Sequence, residues 1–182
     1  MKAILISIKP KYVKAILNGE KTVEIRKSIP NFEKCQRPIF VYIYVTKDKK
    51  DKLFRNNSNY HYFLLDTETD GFNGQVVARF SLGKIDEITN MQIAYGYKRP
   101  LGEYLKESCL TYDEMSNYLK DKKGYVWYIT DLKIFDQPKQ LNNFLVKSHT
   151  VDGVGFKGEP KTFDILKPLT KAPQSWCYVE RE

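Results

Sequence analysis

The 182-residue chain is poor in the residues that build disulfide frameworks and structural metal sites. It has three scattered cysteines, Cys35, Cys109 and Cys177, and no two of them have C-x-x-C spacing. Its two histidines, His61 and His149, stand alone in the sequence. We therefore expect no structural zinc, no other metal and no cofactor. The same cysteine pattern predicts reduced thiols, as is typical of a cytoplasmic protein.

Long apolar runs and triphosphate-binding motifs are also missing. No stretch approaches the ~18 consecutive apolar residues that indicate a transmembrane helix, so we expect no membrane association. The N-terminus lacks the long apolar region and the cleavage site of a signal peptide. Neither a Walker loop nor a G-x-S-x-G elbow occurs, which argues against nucleoside-triphosphate chemistry. The length predicts a single domain over residues 1–182.

Acidic residues are scarce in one part of the chain. Residues 1–50 contain 12 Lys and Arg against four Asp and Glu, whereas residues 51–182 contain 18 of each. The whole net charge of +8 therefore lies in the first 50 residues. A basic excess raises the local concentration of polyanions and supports phosphate contacts. We expect a polyanionic partner.

The N-terminal half contains a recognisable helix followed by strands. In "KPKYVKAILNGE", Pro10 suits a helix start and Gly19 a helix end. Between them one apolar face is formed by Tyr12, Val13, Ile16 and Leu17. The following "KTVEIRK" alternates, which predicts a strand with Glu24 and Arg26 on the same face. The segment "RPIFVYIYVT" predicts a strand buried on both faces, and "GQVVARFSLGKIDEI" a strand bent at Gly83.

The C-terminal half predicts two helices and further strands. "RPLGEYLKESC" is a weak helix, whereas "LTYDEMSNYLKDKKG" has a capping box of Thr111 and Glu114 and an apolar stripe formed by Tyr112, Met115 and Leu119. "GYVWYITDLKIFDQPKQL" predicts one strand, or two strands joined by a bulge, and "SWCYVE" predicts a terminal strand. Glycines and prolines recur along residues 146–174, and this pattern predicts a loop.

Short strands dominate, and helices are inserted among them without regular alternation. This pattern predicts an α+β fold with a curved or closed sheet. The polar, Asn-rich segment 47–73 interrupts it and is long for a loop. We predict an insertion at 47–73, which has room for a helical turn and can form a mobile flap.

The spacing Gly-x-Lys-x-x-Glu-x-Arg, formed by Gly19, Lys21, Glu24 and Arg26, resembles the signature of the ASCH (activating signal cointegrator homology) family. The segments "GYVWYITDLKIFDQPKQL" and "APQSWCYVE" resemble those of bacterial and phage members. The resemblance implies a PUA-like curved β-barrel with inserted and flanking short helices, and a cleft beside the motif. It also implies binding of RNA or a nucleotide, with DNA as an alternative.

Six side chains form the candidate nucleic-acid site: Lys9, Lys21, Glu24, Arg26, Gln174 and Trp176. Arg26 offers a fork of donors for phosphate or a base edge. Glu24 can orient Arg26 or accept from an exocyclic amine. Trp176 can stack on a base or plug the barrel, and Gln174 beside it can contact a base edge. The alternative for Glu24 and Arg26 is an exposed ion pair worth under about 1 kcal/mol.

An enzyme is the second hypothesis, with Lys21 and Glu24 as catalytic residues. Lys21, Glu24 and Arg26 can supply the acid, base and cation of a metal-independent ribonuclease. The family also includes an N4-acetylcytidine amidohydrolase with a Lys-Thr-x-Thr pattern. This chain matches it at Lys21 and Thr22 but has Glu24 where that enzyme has its nucleophile, which weakens this alternative. A protein-interaction module is the third hypothesis, with the tyrosine-rich surface and the 47–73 insertion as docking elements.

Overall fold

A computed structural model describes residues 2–35, 37–89, 99–120, 122–154 and 160–180. Three helices are found in this part of the chain: α1 (Pro10–Leu17), α2 (Leu101–Ser108) and α3 (Tyr112–Leu119). Two short 3-10 helices cover Phe32–Lys34 and Leu141–Asn143. The strands are β1 (Lys2–Ile8), β2 (Val23–Arg26), β3 (Phe40–Val45), β4 (Lys52–Arg55), β5 (Tyr62–Leu65), β6 (Gln75–Ile88), β7 (Gly124–Gln140), β8 (Leu145–Val154), β9 (Pro160–Pro168) and β10 (Trp176–Glu180).

Six of these strands form one mixed sheet in the order β10-β1-β3-β6-β7-β2. Strands β1 and β3 are parallel, and every other neighbouring pair is antiparallel. Strands β4 and β5 form a separate hairpin, as do β8 and β9. The α+β prediction is confirmed, with strands predominating.

The two edge strands of the sheet come close together through side chains. Arg26 on β2 donates from Nη1 to Ser175 Oγ at 3.3 Å, directly before β10. Trp176 on β10 donates from Nε1 to Ser28 Oγ at 3.1 Å, just after β2. The sheet is therefore strongly curved. Among the described residues no backbone ladder joins β2 to β10, so the closed barrel stays a prediction.

The core lies on both faces of the central strands, because β1 and β3 are buried on both sides. One face of β1 contributes Ile4 and Ile6 to the largest apolar cluster, and the other contributes Leu5 to a second cluster. Tyr42 of β3 lies in that second cluster, with its ring edge-on to Phe144 at 4.9 Å between centroids. The tyrosine side of β3 is therefore core.

A third cluster fixes β2 against the helices. Val23 and Ile25 pack with Met115 and Leu119 of α3, as the alternating pattern predicts. The predicted capping box of α3 is present. Tyr112 is the exception to the predicted stripe, because it is 50% exposed. It is the first residue of the helix, where its side chain projects beyond the packed face.

The loop prediction is wrong for residues 146–154 and 160–168, where β8 and β9 form an antiparallel hairpin. Residues 169–174 lie in no helix or strand, as predicted, and residues 155–159 lie outside the described residues. Glycine and proline suggested a loop, but their positions are compatible with a hairpin. Pro160 and Pro168 stand at the two ends of β9, where proline removes no central ladder hydrogen bond. Between them, "KTFDILK" alternates polar and apolar residues at several positions, a strand signal that the prediction overlooked.

Segment 47–73 contains the hairpin β4–β5 and no helical turn. Leu53 and Tyr62, one from each strand, are buried in the main core cluster. The base of the hairpin is thus an anchored part of the fold. None of the helices in the described part of the chain has the length and hydropathy that a bilayer crossing requires.

Candidate functional site

A cleft of about 510 Å³ lies between the first turn of α1, strand β2 and helix α3. Five of the six predicted site residues line it: Lys9, Lys21, Glu24, Arg26 and Gln174. They come from three separate segments of the chain, and the fold brings them together. The volume of the cleft falls in the range of about 300–1,000 Å³ that is usual for small-molecule sites.

Local backbone features place the motif in this cleft. Pro10 begins α1 directly after Lys9, so Lys9 stands at the mouth of the cleft. Gly19 has φ +78°, a left-handed conformation that favours glycine, and it turns the chain back beneath the helix. There the N–H of Lys21 donates to the carbonyl of Ala15 at 3.1 Å. Strand β2 then turns Glu24 and Arg26 toward the cleft.

Gln174 reaches the cleft because the segment before β10 is tied to β1. Ser7 donates from Oγ to the carbonyl of Pro173 at 2.6 Å. The backbone N–H of Ser7 donates to the carbonyl of Ser175 at 2.9 Å. These two hydrogen bonds hold the residues on either side of Gln174.

Glu24 bridges two cations in the floor of the cleft. Its Oε2 lies 3.1 Å from Lys21 Nζ, and its Oε1 lies 3.0 Å from Arg26 Nη2. The three residues are only 3%, 8% and 6% exposed for Lys21, Glu24 and Arg26 respectively. This is a buried charge network, and not the exposed ion pair considered as the alternative. Removing one partner of such a network leaves an uncompensated buried charge.

Backbone oxygens hold the two cations in place. Lys21 Nζ donates to the carbonyl of Ser108 at 2.6 Å, at the end of α2. Arg26 Nη2 donates to the carbonyl of Ser7 at 2.9 Å. The Nε of Arg26 is buried and has no hydrogen-bond partner among the described residues. Each side chain is thus fixed by several partners, which gives the floor of the cleft one defined arrangement.

A second ion pair stands on the α3 side of the cleft. Lys11 Nζ donates to Glu114 Oε1 at 2.6 Å, and Tyr12 OH donates to the same oxygen at 3.3 Å. The hydrogen bond from Lys11 is the main cause that lowers the pKa of Glu114 to about 2. The same bond raises the pKa of Lys11. Glu114 therefore places a fixed negative charge beside the cations of the cleft.

Two tyrosines that the sequence analysis did not assign to the site also line the cleft, Tyr12 and Tyr118. Lys21 Nζ lies 5.3 Å from the centroid of the Tyr12 ring. Lys27 Nζ lies 4.8 Å from that of Tyr118, and burial raises the pKa of the Tyr118 hydroxyl. Tyr12 was assigned to the apolar face of α1, and the periodicity of α3 gave no separate signal for Tyr118.

Trp176, the sixth predicted site residue, is not among the residues that line the cleft. Its ring packs beside Trp127, at 6.0 Å between centroids, and edge-on to Tyr178 at 5.4 Å. The turn before β10 directs Gln174 into the cleft, and the start of the strand directs Trp176 toward the core.

Other predicted chemistry lies elsewhere. Thr22 is exposed outside the cleft. His61 is on the β4–β5 hairpin, and its Nε2 lies 3.4 Å from Nδ2 of Asn18 at the end of α1. The side chain of His149 lies outside the described residues. All three cysteines are free thiols, and burial raises the pKa of Cys177 to about 11. No cluster of three or more His, Cys, Asp or Glu side chains suited to a metal occurs in the described ranges.

The sequence matches the model of a known family over most of its length. That model is described as the ASCH domain, and it matches residues 6–139. The chain belongs to the ASCH domain family. The motif Gly19, Lys21, Glu24 and Arg26 lies inside the matched region, as does the whole of β2. The family has a PUA-like fold of a kind generally associated with RNA binding.

Solved structures of ASCH proteins have the same fold. A crystal structure of ASCH from Zymomonas mobilis is 20% identical and covers 76% of this chain and 73% of its own, with a TM-score of 0.50. A single-residue mutant of the Zymomonas mobilis protein is 17% identical and covers 98% and 89% respectively, with a TM-score of 0.57. At these identities the likeness shows the fold alone. A search of curated proteins finds no match.

Proposed function

We propose that this ASCH protein binds single-stranded RNA and holds one nucleotide in the cleft above Lys21, Glu24 and Arg26. The observation that carries the proposal is the convergence of these three buried charges with Lys9 and Gln174 in one cleft. In this proposal residues 1–182 act as a single domain with an insertion at 47–73. The alternative ligands are a free nucleotide and single-stranded DNA.

Phosphate contacts are assigned to the cations at the rim. Lys9 is exposed at the mouth of the cleft, so its ammonium can reach a backbone phosphate. Lys21 and Arg26 are already engaged by Glu24 and by backbone carbonyls. Their role is to fix Glu24 and to give the floor of the cleft a net positive charge. Phosphate contacts position a strand, and contacts to base edges select it.

Base recognition is assigned to the polar floor and the aromatic walls. The oxygens of Glu24 can accept from an exocyclic amine, and the amide of Gln174 can both donate and accept. Tyr12 and Tyr118 offer rings on which a base can stack, a contact worth about 1–3 kcal/mol. They take the stacking role that the sequence analysis gave to Trp176.

The hydrolase alternative has less support from the geometry. The Lys21 ammonium donates to Glu24 and to the Ser108 carbonyl, and an ammonium has no lone pair with which to accept a proton. Thr22, which matches the first threonine of the amidohydrolase's Lys-Thr-x-Thr pattern, lies outside the cleft. The interaction-module alternative has no described contact in its favour.

Incubation with RNA tests this proposal against the hydrolase alternative. Purified protein is mixed with total bacterial RNA and with a panel of acylated nucleosides, with and without EDTA, and products are read by mass spectrometry. We expect RNA to be retained with an affinity that falls steeply with salt, and no product to form. A product that disappears in both Lys21→Ala and Glu24→Gln would make the protein an enzyme. Failure to retain RNA or any nucleotide would refute the proposal.

A further inference from the structure

The β4–β5 hairpin ends in a tip, residues 56–61, in which every residue is exposed. The sequence of the tip is Asn-Asn-Ser-Asn-Tyr-His. Tyr60 is 69% exposed, more than any other exposed large hydrophobic residue in the described part of the chain. The tip therefore presents one aromatic ring among amide, hydroxyl and imidazole groups.

The exposed ring is held in an unusual backbone conformation. Tyr60 has φ +56°, in the left-handed region that bulky residues rarely adopt. Such backbone strain is concentrated at functional positions. Asn56 and Asn59 support the conformation, because their Oδ1 atoms accept from the backbone N–H groups of Ser58 and His61 at 2.9 and 3.1 Å.

A cation accompanies the ring. The guanidinium carbon of Arg55 lies 5.5 Å from the Tyr60 ring centroid. An aromatic ring beside an arginine is a common platform for an unpaired base, because both groups stack on its face. A protein partner would instead need several apolar side chains around the anchor to exclude water. At this tip the neighbours of Tyr60 are polar.

The tip is rigidly connected to the helix that borders the cleft. Asn18, which ends α1, donates to the Tyr62 carbonyl and accepts from the Tyr62 N–H, both at 2.9 Å. The first turn of the same helix supplies Lys9, Lys11 and Tyr12 to the cleft. With eight residues, α1 is about 12 Å long. The tip and the cleft therefore lie at opposite ends of one short helix.

We propose that the hairpin tip is a second contact for the same RNA strand, where Tyr60 stacks on a base outside the cleft. The strand runs from the cleft along α1 to the tip. This inference rests on the proposed function, because it extends the ligand from one nucleotide to a short single strand. It predicts that affinity depends on strand length.

Fluorescence anisotropy with two probes tests the inference: a nucleoside monophosphate, and a single-stranded RNA of about ten nucleotides, within the site sizes common for such proteins. We expect Tyr60→Ala to weaken binding of the longer RNA about 5-fold or more, and to leave monophosphate binding unchanged. Tyr60→Phe keeps a ring and should bind as wild type. Tyr112→Ala removes another exposed tyrosine from α3 and is the matched control.

A further variant tests whether a loss of affinity comes from the missing ring or from local misfolding. Tyr60→Gly removes the ring and relieves the left-handed strain, so it should also lose affinity for the longer RNA while its melting temperature is retained. If Tyr60→Ala and Tyr60→Gly both bind the longer RNA as wild type does, the inference is overturned.

Variants of the cleft separate this inference from the proposed function. Lys9→Ala should weaken the binding of both probes. If it changes the binding of neither probe while the Tyr60 variants weaken binding of the longer RNA, the cleft proposal fails and the contact at the tip is retained. If wild-type protein binds neither probe, both proposals fail.

Discussion

Arg26 Nη2 lies 3.0 Å from Glu24 Oε1, and both residues are more than nine-tenths buried beneath the cleft. An ion pair at this depth differs from one on the surface, because desolvated charges depend on each other for compensation. Lys21 extends the pair to a network in which one carboxylate serves two cations. The family motif is therefore an internal part of the fold as well as the floor of the candidate site.

Glu24→Gln should destabilise the protein by about 3 kcal/mol or more, because it leaves Lys21 and Arg26 buried together without an anion. The matched control is Glu103→Gln on α2, which removes a partly exposed ion-pair partner of Arg99. It should lower the free energy of unfolding by under about 1 kcal/mol. The free energy of unfolding in urea measures both. Equal costs for the two variants would contradict the buried network.

Acid should weaken the contact between α1 and α3. The folded-state pKa of Glu114 is lowered from 4.5 to about 2, mainly by the hydrogen bond from Lys11. The carboxylate's contribution to stability is therefore fully present above about pH 4.5 and is lost as the pH falls through about 2. Unfolding free energies measured across this range should fall less in Glu114→Gln than in wild type. Parallel curves for the two proteins would contradict the assignment.

Glu114→Gln should also strengthen RNA binding. The substitution removes a negative charge from the cleft and frees the Lys11 ammonium for a phosphate. Gln can still accept from the Thr111 N–H, so the helix cap is retained. One extra phosphate contact should steepen the slope of log affinity against log salt by about 0.7. Affinity measured at several salt concentrations checks this, and an unchanged slope would show that Lys11 stays outside the bound strand's reach.

Gly19→Ala should destabilise the protein by roughly 1 kcal/mol, because φ at this position is +78°. A Cβ at Gly19 would meet no atom within 4 Å, so backbone strain is the only cost. Gly102→Ala is the control, since it too has open space but sits in α2 without a left-handed φ. It should be neutral or stabilising. Thermal unfolding distinguishes the two, and equal melting temperatures would refute strain at the turn.

Local patterns in the sequence predicted the part of the site that depends on a single helix, turn and strand. Pro10, Gly19 and the alternation around Glu24 define α1 and β2, and the helix and strand were found where predicted. Their burial was not predictable, because α2, α3 and the segment before β10 cover the motif from distant parts of the chain. The Lys21–Ser108 hydrogen bond, for example, joins residues 87 positions apart.

The errors have the same origin. Trp176 was expected in the cleft and Tyr118 gave no local signal for it, yet tertiary packing places Tyr118 in the cleft and Trp176 against Trp127. The hairpin β8–β9 was missed because glycine and proline were read as loop signals without regard to their positions at strand ends. The β4–β5 hairpin was likewise hidden by polar residues, which are concentrated at its exposed tip.

The most direct test of the central claim is the salt dependence of RNA affinity in wild type, Lys9→Ala and Lys122→Ala. Lys122 is an exposed lysine that does not line the cleft, so it controls for a general loss of charge. We predict that Lys9→Ala weakens binding and makes the slope of log affinity against log salt shallower by about 0.7, while Lys122→Ala matches wild type. If the two variants behave alike, RNA is held by the general basic surface, and the cleft is not its site.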